Sequence, residues 1–357
     1  MRRQRNSKEA SLIRLLDQLL RSHDLKINES SDQSAILQTL TNSVSSIPQN
    51  DILLHGTRVE AMFSYVAGAL GHCEAIKQED AGELYTVKNN VAVPDFRVVT
   101  LEGEEFLVEV KNCHSTGTEY RYRMTKEYLE KLRNYADLFS CTLKIAIYWS
   151  RSSLWSLVSS DAFETDGRYY SLSMEQCMKR NEMKIIGDSM VGTVPPIVLK
   201  VVPDPSKPRE LESDGTIGFV IGDVQVSCDG HEIKDPFERK LALFLFSYGD
   251  WHVNVVESKI DSEKPIWIQF VANKDPVEGQ HFTTLGFLSR MVSLQFNELT
   301  AEAGEIVRLS PNLDPSKLGI IIPADFKGEN LRLCQFTLCR RTTSNYYASK
   351  VGRIHSP

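Results

Sequence analysis

Two carboxylates and an ammonium stand within seventeen positions of one another in this chain of 357 residues. Val93-Pro94-Asp95-Phe96-Arg97 is followed, after a polar run, by Phe106-Leu107-Val108-Glu109-Val110-Lys111. Val93 to Thr100 is rich in Val and carries an aromatic, and Phe106 to Lys111 alternates apolar with charged residues, so both read as strands. Leu101-Glu102-Gly103-Glu104-Glu105 between them suits a hairpin connection. Folding the hairpin about Gly103 places Asp95 opposite Lys111, with Glu109 one same-face step along. Glu109 and Lys111 then share a sheet face, and Val108 and Val110 take the other. Opposed Cβ atoms lie about 5 Å apart, close enough for two carboxylates to share one ion. Two hard carboxylates beside a lysine match what a Mg²⁺- or Mn²⁺-assisted phosphodiester hydrolysis needs.

In that chemistry Asp95 and Glu109 supply oxygen ligands, and the Val110 carbonyl between two functional side chains could add another. Lys111 could position or deprotonate water, or neutralise charge growing on the phosphorane. Beside two carboxylates its ammonium is favoured, which points to the electrostatic role. A surface hairpin with a Lys–Glu pair is the plainer alternative for the same residues.

The pattern Pro94-Asp95 … Glu109-Val110-Lys111 resembles the PD-(D/E)xK nuclease superfamily, whose fold is restriction-endonuclease-like. The resemblance covers roughly residues 50 to 150 and rests on a short motif together with the order of elements. It implies an early helix with an acidic residue, Asp on the second core strand, E-x-K on the third, then a crossover helix and a parallel strand. Gly56 to Leu70 reads as the early helix, with Thr57 as N-cap and Glu60 as either its capping-box partner or the acidic residue supporting the metal. A charged helix is expected over Tyr122 to Phe139, with Tyr128, Leu129, Leu132, Tyr135 and Ala136 at helical spacing. Thr142 to Trp149 reads as the buried strand that follows. The resemblance implies that a polar residue of that helix reaches the site, either Lys131 or Tyr128.

Nucleic-acid phosphate needs local cations, whatever the net charge of −6. Arg121, Arg123, Lys126, Lys131 and Arg133 follow the E-x-K strand, interleaved with Tyr120 and Tyr122 and diluted by Glu119, Glu127 and Glu130. They could hold flanking phosphates. Arg97 projects to the Asp95 face by parity and either pairs there or meets phosphate. His114 lies just past Lys111 and could touch substrate, though a loop histidine is the plainer reading. Cys113-His114 with His72-Cys73 makes poor zinc geometry.

Length predicts two domains. Hydrophobic content of 41% and charged content of 25% are those of a globular protein. There is no apolar run long enough to span a membrane. Seven cysteines without paired-ligand spacing suggest a reduced, cytoplasmic setting. Residues 1–48 read as a helical segment and linker, with a leucine stripe inside Glu9 to Ser22 and a second short helix around Ile36 to Leu40. Residues 49–202 read as the catalytic domain, with a helix over Met174 to Glu182 and the strand Ile197 to Val202 finishing its sheet. A stiff linker follows at Pro203 to Pro208. Residues 209–357 read as an α+β domain for recognition, sensing or oligomerisation. Within it Asp235 to Phe246 and Thr283 to Leu299 are expected as helices, and Gly319 to Pro323 as a strand. Its basic tail carries Arg340, Arg341, Lys350 and Arg353.

The expected class is therefore α/β: a restriction-endonuclease-like mixed sheet flanked by helices, a helical N-terminal segment and a C-terminal α+β domain. The expected activity is metal-dependent endonucleolytic cleavage of DNA, favoured over RNA, with prokaryotic restriction or defence as the implied setting and a homodimer as one route to cutting both strands. The alternative is a catalytically silent nucleic-acid-binding module of the same fold.

Overall fold

The computed structural model describes residues 1, 8–23, 25–26, 29–46, 51–80, 84–114, 120–261, 264–323 and 325–337. The basic tail at Arg340, Arg341, Lys350 and Arg353 lies outside the described residues. Three helices come first: α1 (Lys8–Ser22), α2 (Ser30–Ser46) and α3 (Asp51–Leu70). The α3 helix starts five residues before Gly56 and runs through it, so Thr57 lies inside the helix and caps nothing. Its buried positions, among them Val59, Met62, Phe63, Val66, Ala67 and Leu70, recur at helical spacing and seat it on the sheet.

That sheet is mixed and five-stranded, in the order β1 (Cys73–Gln78), β2 (Phe96–Thr100), β3 (Glu105–Cys113), β5 (Thr142–Trp149), β6 (Leu154–Ser159). β3 and β5 run parallel, joined through α4 (Lys126–Leu138), and the other pairs are antiparallel. Phe106, Val108 and Val110 pack on the α3 side; Leu107 joins Leu129 and Leu132 of α4 in the other layer. This alternation inserts Glu109 among apolar residues on the α4 side.

Between β3 and α4 the expected helix begins late. Arg121–Thr125 is instead a strand, β4, in a three-stranded sheet with β7 (Glu164–Asp166) and β8 (Tyr169–Ser173). Met124 is buried while Arg123 and Thr125 on either side are exposed, a period-2 pattern that a helix cannot satisfy. Thr125 then caps α4, its side chain accepting from the Tyr128 amide at 3.2 Å.

The second half differs from expectation in several places. Helix α5 spans only Met174–Lys179, ending at Arg180. β9 (Met190–Thr193) and β10 (Ile197–Pro203) leave the first sheet. β10 is the middle strand of a second five-stranded sheet, between β13 (Ile221–Cys228) and β16 (Lys264–Asn273), with β14 (His231–Glu232) and β15 (His252–Asp261) outside them. The 203–208 segment connects β10 to the small hairpin of β11 (Arg209–Leu211) and β12 (Ile217–Phe219). One hydrophobic cluster includes residues of α3, α6 (Pro236–Tyr248) and α7 (Leu288–Thr300). Thr283–Phe287 forms β17, pairing with β9 alongside β18 (Leu333–Phe336), so α7 begins later than its sequence pattern suggests. Residues 319–323 contain no strand. Buried Arg58 of α3 donates to Thr300 and Asn297 of α7, and Trp155 of β6 donates to Ser293 at 2.9 Å. Buried Asp188 receives the Ser289 amide at 2.9 Å, satisfying an orphan donor at the start of α7.

Candidate functional site

The β2–β3 hairpin pairs Phe96 with Val108 and Val99 with Glu105. Continued by one residue, this register sets Asp95 across from Glu109, two positions from the expected Lys111. The difference arises in the turn. The Thr100 amide donates to the Glu104 carbonyl, which centres the connection on Glu102, and Gly103 takes the left-handed φ of 82° that follows. Asp95 itself precedes the strand, and its carbonyl receives the Glu79 amide at the end of β1. Its carboxylate turns inward and accepts the Val110 amide at 2.6 Å.

Glu109 is 1% exposed, and its two oxygens are treated differently. Oε1 receives the Tyr128 hydroxyl at 2.6 Å and the Lys111 ammonium. Oε2 is buried with no partner among the described residues. A carboxylate oxygen buried without a donor is costly, a cost that a bound cation would relieve. Lys111 also lies 5.1 Å from the centre of the Tyr128 ring. Among the described residues no group of three or more His, Cys, Asp or Glu is gathered as a metal cage. Mg²⁺ does not require one, since it is held by one or two carboxylates and retains its waters. The donors present fit such an ion.

The electrostatics follow from burial and crowding. Burial, then the Glu109 charge, pushes the Asp95 carboxyl up to about 8 against the opposing Val110 N–H and Lys111. Glu60 is raised as well, by burial first, with Lys111 opposing and Asp80 and Glu109 adding. Burial pulls the Lys111 ammonium down, but Glu109 and the neighbouring Tyr128 more than offset this and hold it above its usual range. Lys111 therefore remains a cation. Tyr122 is raised to about 12 by burial, with Lys111 opposing and Glu109 adding.

Asp95, Glu60 and Asp80 line one groove of about 950 Å³ that runs along α3 and β1 to Ser310, Pro315 and Ile321. The structure thus brings together Asp95, Glu109, Val110, Lys111 and Glu60. Other expected residues lie apart. Arg97 is committed to Glu79 at 2.9 Å and Glu105 at 2.6 Å, and stacks 5.4 Å from the Phe139 ring. Glu79 also accepts from the Tyr135 hydroxyl at 3.0 Å. His114 is exposed, with Nδ1 2.9 Å from the Ser150 hydroxyl. Lys131 pairs with Glu127 on the helix surface, so of the two α4 candidates it is Tyr128 that touches Glu109. Arg121 and Arg123 sit on β4 and Lys126 opens α4. Asp80 has no counterpart among the expected residues. It follows β1, whose Cys73-Glu-Ala-Ile-Lys-Gln sequence has too little apolar alternation to announce a strand.

No family model and no curated protein matches the chain. Among solved structures it is similar to Hjc, a Holliday junction resolvase from the archaeal hyperthermophile Archaeoglobus fulgidus, at 16% identity and a TM-score of 0.28. The likeness covers 37% of this chain and 96% of that one. It is partial and carries no functional argument. Among the described residues no helix is long and apolar enough to cross a membrane.

Proposed function

We propose that this chain is a metal-dependent endonuclease of the PD-(D/E)xK type that hydrolyses DNA phosphodiesters, with Mg²⁺ or Mn²⁺ as cofactor. One observation carries the reading: Glu109 keeps a buried oxygen next to Asp95 that has no partner among the described residues, while its other oxygen is doubly held. Asp95, Glu109 Oε2 and the Val110 carbonyl would hold the ion, with Glu60 supporting it from α3. When bound, the metal supplies Lewis acidity toward a phosphoryl oxygen and a more acidic water. The chain's own residues do the rest. Tyr128 and Lys111 fix the Glu109 carboxylate in one orientation, and the Lys111 charge opposes negative charge developing on the phosphorane. Arg121, Arg123, Lys126 and His114 stand as candidate phosphate contacts; Arg97 leaves that set for a structural role. The C-terminal half, from residue 209 onward, is proposed for recognition or assembly, and a homodimer would present two sites.

Calorimetric titration of the full chain with Mn²⁺ tests the assignment. A single site in the wild type that is lost in Glu109→Gln, with the melting temperature retained, supports it. Equal binding by both proteins, or binding by neither, removes Glu109 as a ligand and leaves the silent binding module as the better account.

A further inference from the structure

One face of the β4–β8–β7 sheet packs into the α4-side core; on the other, Arg123 and Thr125 are exposed, Arg121 is half-buried and Ser171 is buried. Met124 and Leu172 are buried in the α4-side core, with Tyr122 and Tyr170 packed against them. The alternate positions carry Arg121, Arg123 and Thr125 on β4, with Ser171 paired to Arg123 and Tyr169 paired to Thr125. Same-face neighbours on a strand are about 6.6 Å apart, the scale on which phosphates follow one another along a nucleic-acid strand. We propose that this outer face guides the phosphodiester backbone of the substrate strand where it flanks the site, with Arg121 and Arg123 as successive phosphate contacts. The proposal rests on the nuclease reading and adds the surface that reading lacks.

Four features favour it. The row of side chains ends at the site: Thr125 accepts the Tyr128 amide at 3.2 Å, and the Tyr128 hydroxyl holds Glu109. The two guanidiniums are already oriented, Arg121 by the Ser171 hydroxyl at 3.1 Å and Arg123 by Asp166 at 3.1 Å. The Arg123–Asp166 pair is solvent-exposed, with side chains 59% and 46% accessible, so it contributes little and a phosphate can replace Asp166 at small cost. Arg168 adds a further cation, stacked 5.0 Å from the Tyr169 ring. Among the described residues, Asp166 and Glu164 on β7 bring opposing charges to this sheet, and Glu164 is engaged by Gln176 at 2.8 Å. In a chain of net charge −6, attraction for a polyanion has to come from such a local surface.

The test is DNA binding by the full chain as a function of salt, using a labelled oligonucleotide duplex with a single-stranded arm and Ca²⁺ in place of Mg²⁺. Each phosphate contact adds close to one unit to the slope of log affinity against log salt. Arg123→Ala should lower that slope by about one and weaken binding several-fold, while Arg123→Lys keeps most of it. Asp166→Asn should do the reverse, tightening binding by releasing Arg123 from its competitor. Unchanged affinity and slope in Arg123→Ala and Asp166→Asn would overturn the guide. Mn²⁺ binding and cleavage by the same wild-type preparation separate the two failures. A chain that binds metal and cuts DNA but shows flat mutant slopes loses only the guide. A chain that binds neither metal nor DNA loses both readings.

Discussion

Tyr128 donates its hydroxyl to Glu109 at 2.6 Å, on the same oxygen that takes the Lys111 ammonium. The consequence is an asymmetric carboxylate. One oxygen is fixed by two donors, and the other is buried with no partner among the described residues. Tyr128→Phe removes one of the two donors without changing the shape of the side chain. We predict that Mn²⁺ affinity falls about tenfold or more, as expected when the partner that orients a ligand is lost. Stability should fall by about 1.5–3 kcal/mol, the range for a hydrogen bond to a charged group. Calorimetry and thermal unfolding measure the two effects, and unchanged metal affinity would mean that Glu109 is held by Lys111 alone.

Asp95 gives a pH signature. Its carboxyl is raised by burial and by Glu109 from an ordinary value of 3.8 to about 8. A group raised on folding binds more protons in the native than in the unfolded state between those two values. Stability of the metal-free protein should therefore fall as pH climbs from about 4 to about 8, and level off beyond. Asp95→Asn can keep the Val110 amide bond yet carries no charge, so its melting temperature at pH 8 should exceed that of the wild type. Mn²⁺ binding below pH 8 should release a proton, detectable as an enthalpy that depends on the buffer's ionisation heat. A metal-free melting curve flat from pH 5 to 8 would contradict this picture.

Arg97 is expected to act on stability and leave DNA affinity unchanged. Its guanidinium bridges Glu79, whose side chain is buried, to Glu105 at the end of the hairpin. Arg97→Ala leaves the Glu79 carboxylate with only the exposed Lys77 ammonium and the Tyr135 hydroxyl, at a cost of about 1–3 kcal/mol. The melting temperature should drop by several degrees, with the slope of DNA affinity against salt unchanged. A reduced slope would return Arg97 to the phosphate contacts.

Much of the site was legible in the order of residues, and the errors have local causes. The alternation Leu107, Glu109, Lys111 against Val108, Val110 is an unbroken period-2 pattern, so the strand and its faces could be read directly. The register could not. Gly103 marks the turn but sits one residue past its centre, and that offset shifts every cross-strand pair by two. Tyr122 to Thr125 was hidden because alternating charges precede a helix of similar composition, and only pairing with β8 distinguishes them. The placement of β10 depends on partners more than 60 positions away at β16, which no local pattern reports. Glu79 and Asp80 emerged only once β1 was seen beside β2.

The most direct measurement of the central claim is cleavage of supercoiled plasmid, linear duplex, single-stranded DNA and RNA by the full chain in Mg²⁺ or Mn²⁺. Wild type should be compared with Glu109→Gln and with an EDTA control. The account predicts metal-dependent cutting of at least one DNA substrate that disappears in EDTA and in the variant, while the variant keeps its fold. Cleavage that persists in folded Glu109→Gln, or a metal-binding wild type that binds DNA and cuts none of these substrates, would contradict it.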